Sequence, residues 1–318
     1  MSLPTDSSHL SSLPSAQLIE EFNGNVESQF EYESMMRKYC PFKIIRNGDT
    51  AINRRIGKST LQKVTAGVRP NATARTHGRA AVTVDTIILA RDNQDLLNDF
   101  QSDFQVRADI AEDHGTEIAK FFDQAILIQA IKGALANAPT DVDSIGAGKD
   151  VTLAAANDEL DPDKLYEGIV EILVAMEDED INLSKHVVIV RPKQYEVLLN
   201  NSKLTDADLS PNNADVAKGA IKCIYCVPIV KSARIPTQAI TDHKLSNDNN
   251  SNAYDVSATE AKAVAVIVSP RALLAAETIP LMSKVHYSDM ELQYFIDSLL
   301  SFGVAVSRPD LCGALFKA

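Results

Sequence analysis

Between Ser102 and Ala138 the apolar residues fall at helical spacing. Phe104, Ala108, Ala111, Gly115, Ile118, Phe122 and Ile126 step by three or four and share one face. Asp109, Asp113, Glu117 and Lys120 share the opposite face. Beyond Ile126 the polar face disappears, because Leu127, Ile128, Ile131 and Leu135 cover the remaining directions. Ser102 and Gln105 form a capping-box pair at the start, and Pro139 cannot continue a helix. The pattern predicts one long helix, half-exposed at first and buried on nearly all sides by its end. Gly115 sits in the apolar stripe, where the missing side chain lets another backbone approach closely.

The other elements are read by the same periods. Residues 1 to 15 are polar and are expected to be loose. Leu18, Ile19, Phe22, Val26 and Phe30 form a short amphipathic stretch, interrupted by Asn23-Gly24-Asn25 so that two short pieces are allowed. Residues 43 to 91 read as a long β-hairpin whose clearer strand runs from Ala81 to Leu89. Its middle, Ala66 to Gly78, has almost no large apolar residue and is expected to stand off the body as an extended loop. Thr140 to Glu159 reads as a connection. Asp161-Pro162-Asp163 opens a second helix, ending near Glu177. His186 to Val190 is a buried strand, followed by a helix from Lys193 to Asn200 and a polar loop from Lys203 to Asp215. Ala220 to Val230 and Ala263 to Val268 read as strands, with a surface excursion from Thr241 to Thr259 between them. Pro270 is expected to start a short helix, and Lys284 to Tyr287 and Leu292 to Val306 to form strands. The order is α+β with an α/β-like subdomain.

Charge changes this picture. The chain of 318 residues carries a net −12, which argues against a general nucleic-acid binder. Residues 41 to 91 nevertheless hold ten Lys or Arg against Asp49 and Asp85, a local +8, so the rest carries −20. A basic arm on an acidic body points to an anionic partner or to contact between copies of the chain. No aromatic residue lies between Lys43 and Arg91 for base stacking, which weakens a nucleic-acid reading of the arm. No apolar run is long enough for a membrane span, and the first residues lack the pattern of a signal peptide, so a soluble intracellular product without membrane contact is expected.

Candidate chemistry is sparse. Gly57-Lys58-Ser59 and Gly148-Lys149 lack the earlier glycine of a phosphate loop. Cys223 and Cys226 lie inside a predicted strand, at a spacing that puts them on opposite faces, and are expected to be core cysteines. His114 lies beside Asp113 and Glu117, where a solvated acidic face is the ordinary outcome and a metal site the sharper alternative. No nucleophile elbow and no interpretable acid–base pair is present, so no enzyme, cofactor or metal is expected.

The ordered set of segments resembles the major capsid proteins of tailed bacteriophages with the Hong Kong 97-type fold, closest to those of the short-tailed phages. Leu18-Ile19, Phe22, Gly24, Val26 and Phe30 resemble the N-terminal arm of that group. Gly48-Asp49-Thr50-Ala51 through Gly57 resembles the entry to its extended hairpin, the E-loop, and Val82-Thr83-Val84-Asp85 the returning strand. Phe104-Gln105-Val106-Arg107 with Gly115, Glu117 and Asp123 resembles the start of its spine helix. His186 to Pro192 with Tyr195 and Leu198, then Gly219-Ala220-Ile221 to Val227-Pro228-Ile229 and Pro236, resemble parts of its axial domain. Arg308-Pro309-Asp310 with Gly313-Ala314 is similar to its C-terminal end. The chain departs from the group at Cys223, where many relatives have glycine, and around Asn53 to Arg55. No lysine is assigned a covalent cross-link.

The resemblance implies an N-terminal arm over 1–42, an E-loop hairpin over 43–92, a peripheral domain with the spine helix over 93–160, an α/β axial domain over 161–275, and returning strands with the C-terminal end over 276–318. It implies a shell subunit forming hexamers and pentamers of an icosahedral head, made in the bacterial cytoplasm. Scaffolding protein and portal would be its assembly partners, and packaged double-stranded DNA would be enclosed without sequence-specific contacts. An encapsulin-like nanocompartment shell is the alternative within the fold. A soluble α/β enzyme or binding module is the alternative outside it. In the family the E-loop lies across a neighbour near its spine helix. Arg54, Arg55, Lys58, Arg69, Arg75 and Arg79 are therefore expected to meet an acidic surface bearing Asp109, Asp113 and Glu117 of another copy.

Overall fold

Gln105–Leu135 form the long helix that the periodicity predicts. Ala111, Gly115, Ile118, Phe122 and Ile126 are buried, whereas Asp109, Asp113, Glu117 and Lys120 are exposed. From Ala125 to Ala134 every residue but Lys132 is buried. The computed structural model describes residues 22–46, 48–67, 69, 72, 74–95, 105–205, 214–215 and 219–318, so Leu18, Ile19, Ser102 and Phe104 lie outside the described residues. The chain divides into two units, one drawn from 1–37, 84–123 and 277–302, the other from 38–83, 124–276 and 303–318. The long helix contributes its earlier turns to the first and its later turns to the second.

In the first unit, residues 22–33 are helical without a break at Gly24. Phe22, Val26 and Phe30 turn inward as their spacing predicts. This helix lies against Gly115. A Cβ at that position would stand 2.8 Å from the Val26 carbonyl oxygen and 2.9 Å from Gln29 Cβ. Phe30 and Phe122 meet edge to face at 5.3 Å. Where the helix ends, the fully buried Asp123 accepts hydrogen bonds from Ser34 Oγ (2.9 Å), Met35 N (2.9 Å) and Met36 N (3.1 Å). Ile88–Asp95 pairs antiparallel with Gln293–Leu300.

The predicted strand from Ala81 to Leu89 is in fact two. His77–Thr83 ends before residues 84–87, and Ile88–Asp95 begins beyond them. The two pieces have different pairing partners, so the chain leaves one ladder before it enters the next. Pro270 opens a turn rather than a helix. The strand that follows, Leu273–Ser288, starts well before the predicted Lys284, because Ala275 and Ala276 carry no strand signal of their own.

The second unit is built on a six-stranded mixed sheet in the order Lys149–Thr152, Cys312–Phe316, Ala263–Val268, Val187–Val190, Val227–Lys231, Cys223–Ile224. Val187–Val190 is buried at every position, as its unbroken β-branched run requires. Leu165, Ile169, Ile172 and Met176 of the helix Pro162–Glu177 join the core with Val188, Val190, Val264 and Leu315. Asp161 caps that helix, accepting from Asp163 N at 2.9 Å. The excursion from Thr241 to Thr259 is pinned down: Ile240 bridges Val256, and the buried Tyr254 hydroxyl donates to Val304 O and accepts from Val304 N. Lys149–Thr152 lies within the stretch read as a connection. Among the described residues no helix is long and apolar enough to cross a membrane.

Ala220 to Val230 is interrupted, which corrects the reading of its cysteines. Ile224 pairs with Val227 across a tight turn in which Tyr225 and Cys226 both have positive φ, at 50° and 64°. Such a turn usually announces itself with Asn-Gly, which is absent here. Cys226 is exposed and Cys223 half-buried, whereas Cys40 and Cys312 are the buried thiols. Burial pushes the Cys40 thiol up to about 12 and that of Cys312 higher still. A short pulse of maleimide on the folded, unassembled protein should label Cys226 and spare Cys40 and Cys312, as read by peptide mass spectrometry. Prompt labelling of Cys312 would contradict the packing of its strand.

Candidate assembly interface

The basic arm begins as a regular hairpin. Thr50–Ile56 and His77–Thr83 pair antiparallel from Thr50 opposite Thr83 to Ile56 opposite His77. Ala51, Ala80 and Val82 are buried, while Ile52 and Ile56 remain about half exposed. Arg54 lies directly opposite Arg79, and both are exposed. Like charges facing across a strand pair are unfavourable, so the stem places two cations together at a cost to itself. Among the described residues no ion pair engages the side chain of Arg54, Arg69 or Arg79. Between Gly57 and Thr76 the described residues have no regular structure, and Leu61 and Val64 are 96% and 65% exposed.

The root of the hairpin is held by two carboxylates from the segment read as a connection. Asp143 accepts from Thr76 Oγ1 at 3.0 Å and from Lys58 N at 3.2 Å. Those bonds, the threonine hydroxyl first, hold its pKa below the usual carboxylate value. Asp141 accepts from Arg79 N at 3.2 Å, and Ser144 Oγ donates to Ile56 O at 2.7 Å. Gly78 makes room for this contact, since a Cβ there would overlap Asp141. Arg55 completes the root. Its Nε donates to Ser307 O at 2.8 Å, its Nη2 to Val306 O at 3.4 Å, and its Nη1 lies 3.7 Å from Asp141. Asn53 donates to Ser307 Oγ at 2.8 Å.

The residues singled out from the sequence thus separate. Arg54 and Arg79 come together, and Arg69 is exposed. Lys58 is exposed at the root, where its charge acts on Asp143. Arg75 is hydrogen-bonded to the Ser59 hydroxyl. Arg55 is engaged within its own chain. On the long helix Asp109 and Asp113 are exposed, and Glu117 is paired with Lys120 at 2.6 Å. Asp141, Asp143 and Ser307 were not singled out. The one available signal was Asp-Val-Asp-Ser in a loop, a composition that often binds backbone N–H groups.

His114 does not belong to a solvated face. It is buried, with Nε2 2.9 Å from Asp92 Oδ2 and Nδ1 3.0 Å from Ser298 Oγ, and Ser298 Oγ is 2.9 Å from Ser283 Oγ. Asp92, His114 and Ser298 follow the order of a hydrolase relay. Ser298, however, is completely buried and shares its hydroxyl with Ser283, so the chain of bonds pins helix to sheet. Among the described residues no group of three or more His, Cys, Asp or Glu is placed to hold a metal.

A family model described as Gp10A-like major capsid protein matches residues 52–295. A chain in the asymmetric unit of the bacteriophage PhiM1 mature capsid is 26% identical, with a TM-score of 0.79 over 90% of this chain and 88% of that one. The capsid structure of the cyanophage P-SCSP1u matches at 16% identity and a TM-score of 0.78 over the same shares. A structure from the Mycobacterium phage Che8 matches at 18% and 0.61 over 85% of each chain. No curated protein sequence matches.

Proposed function

The chain belongs to the Gp10A-like family of phage major capsid proteins, and we propose that its copies form the hexamers and pentamers of an icosahedral head around the DNA genome. It is a structural component of a virion shell with the Hong Kong 97-type fold. The family match does not favour the encapsulin-like alternative. A scaffolding protein and a portal would act with it during assembly in the bacterial cytoplasm. An acidic body of −20 outside the arm suits a container whose wall does not hold the packaged duplex.

One observation carries the contact between copies: the arm's cations are presented at Arg54, Arg79 and Arg69 while its root is fixed by Asp141, Asp143 and Arg55. The arm is the E-loop of this reading. Its occupied root sets its direction, and its free cations meet the Asp109, Asp113 and Glu117 face of a neighbour. Arg55 belongs to the root. Each exposed pair contributes about 0–1 kcal/mol and is screened by salt. Repeated around a shell, contacts this weak can select the closed form and still release misplaced subunits.

Arg54→Glu with Arg79→Glu tests this. Both side chains are exposed, and the pair stays like-charged after reversal, so monomer stability should be within about 0.5 kcal/mol of wild type. Under conditions where wild type closes, negative-stain microscopy and light scattering should find few or no shells. Adding Asp109→Lys and Asp113→Lys should restore part of the yield. Normal shells from the first double variant would remove the electrostatic contact.

A further inference from the structure

The helix Pro192–Leu199 begins without a side-chain cap, so the N–H groups of its first turn have no side-chain acceptor. A recess of about 550 Å³ opens there, lined by Glu159, Arg191, Lys193, Gln194, Thr237 and Lys317 among others. Gln194 is 5% exposed, and its side-chain oxygen has no hydrogen-bond partner. Arg191 Nη2 donates to two neutral carbonyls, Pro236 O at 2.5 Å and Ala261 O at 3.0 Å, while its buried Nε has no partner. Among the described residues no carboxylate lies within ion-pair distance of Arg191. Burial alone acts on its pKa, lowering it. A buried guanidinium without a counter-charge is costly, and an anion in the recess would relieve it. Three cations against Glu159 leave the recess at +2.

We propose that this recess binds a phosphate group. A dianion matches the +2, the helix N-terminus favours negative charge, and a guanidinium edge with a free Nε suits a tetrahedral oxyanion. Rotation of the Gln194 amide would supply a further donor. A carboxylate brings half the charge and fewer oxygens, so it would leave donors unused. The phosphate has two sources, free phosphate and the backbone of duplex DNA. The chain's net −12 and the small mouth favour the free ion.

The test titrates the full-length protein calorimetrically with inorganic phosphate and, separately, with a short DNA duplex. Lys193→Glu and Lys317→Glu are examined as single variants, with Lys193→Ala as a milder change at an exposed position. Wild type should bind phosphate with a Kd of about 1 mM or tighter, and each reversal should weaken it roughly tenfold. Lys193→Ala should weaken it a few-fold with an unchanged circular dichroism spectrum. A duplex that fails to bind assigns the site to free phosphate; one that binds and is lost in the same variants assigns it to backbone phosphate. Absence of phosphate binding in wild type, or binding indifferent to all three variants, overturns the proposal.

Discussion

Asp123→Ala should cost about 3–5 kcal/mol and release the segment that follows the helix over residues 22–33. The reason is the number of groups on one buried carboxylate. Ser34 Oγ, Met35 N and Met36 N all donate to it, and Ser34, Met36 and Asp123 are nearly or fully buried. Alanine leaves three donors without an acceptor in a place water does not reach, and an unmade buried bond costs more than a made one contributes. Asp123→Asn keeps the size and one acceptor oxygen, so it should cost about half as much. Urea denaturation gives the totals, and hydrogen exchange locates them. Met35 and Met36 amides should lose protection before the rest of the unit does. A loss under about 1 kcal/mol, or unchanged protection there, would mean that the segment is held by something else.

The long helix was legible because its period is repeated many times. Gly115 was legible because glycine weakens a helix and adds nothing to an apolar stripe, so its place there marks a close backbone approach. The helix at Asp161-Pro162 and the strand Val187–Val190 were legible for the same kind of reason: a cap and an unbroken β-branched run are local signals. What escaped was set by partners far along the chain. Nothing near Asp141 or Asp143 in the sequence announces the hairpin root they hold, and nothing distinguishes Arg54 from Arg55 until Ser307 is seen beside the latter. Lys149–Thr152 became a strand only because Cys312–Phe316 lies beside it. Tyr225-Cys226 turned without the residues that usually mark such a turn, so two exposed or half-exposed cysteines were read as core. The candidate interface follows the same division. Its charge was readable at once from composition, while which cations remain available depended on side-chain contacts across the fold.

Gly115→Val should cost more than about 3 kcal/mol, and its cost should not add to that of Asp123→Ala. A Cβ at this position meets the Val26 carbonyl oxygen at 2.8 Å and Phe30 N at 3.2 Å, so the obstacle is largely helix backbone rather than a side chain able to turn away. Replacing glycine in a helix gains at most about 1 kcal/mol of propensity, less for a β-branched residue, and does not offset the overlap. The helix over 22–33 must therefore move outward, taking Phe22, Val26 and Phe30 from the positions in which they are now at most 5% exposed. That displacement also pulls residues 34–36 away from Asp123, since they follow directly in the chain. Each substitution consequently destroys part of what the other removes. The double variant should cost less than the sum by about 1–3 kcal/mol. Gly115→Ala, with one methyl and no branch, should show the same sign with a smaller magnitude. If the two costs add to within about 0.5 kcal/mol, the glycine contact and the carboxylate hold separate segments, and the cooperative attachment of residues 22–36 is wrong.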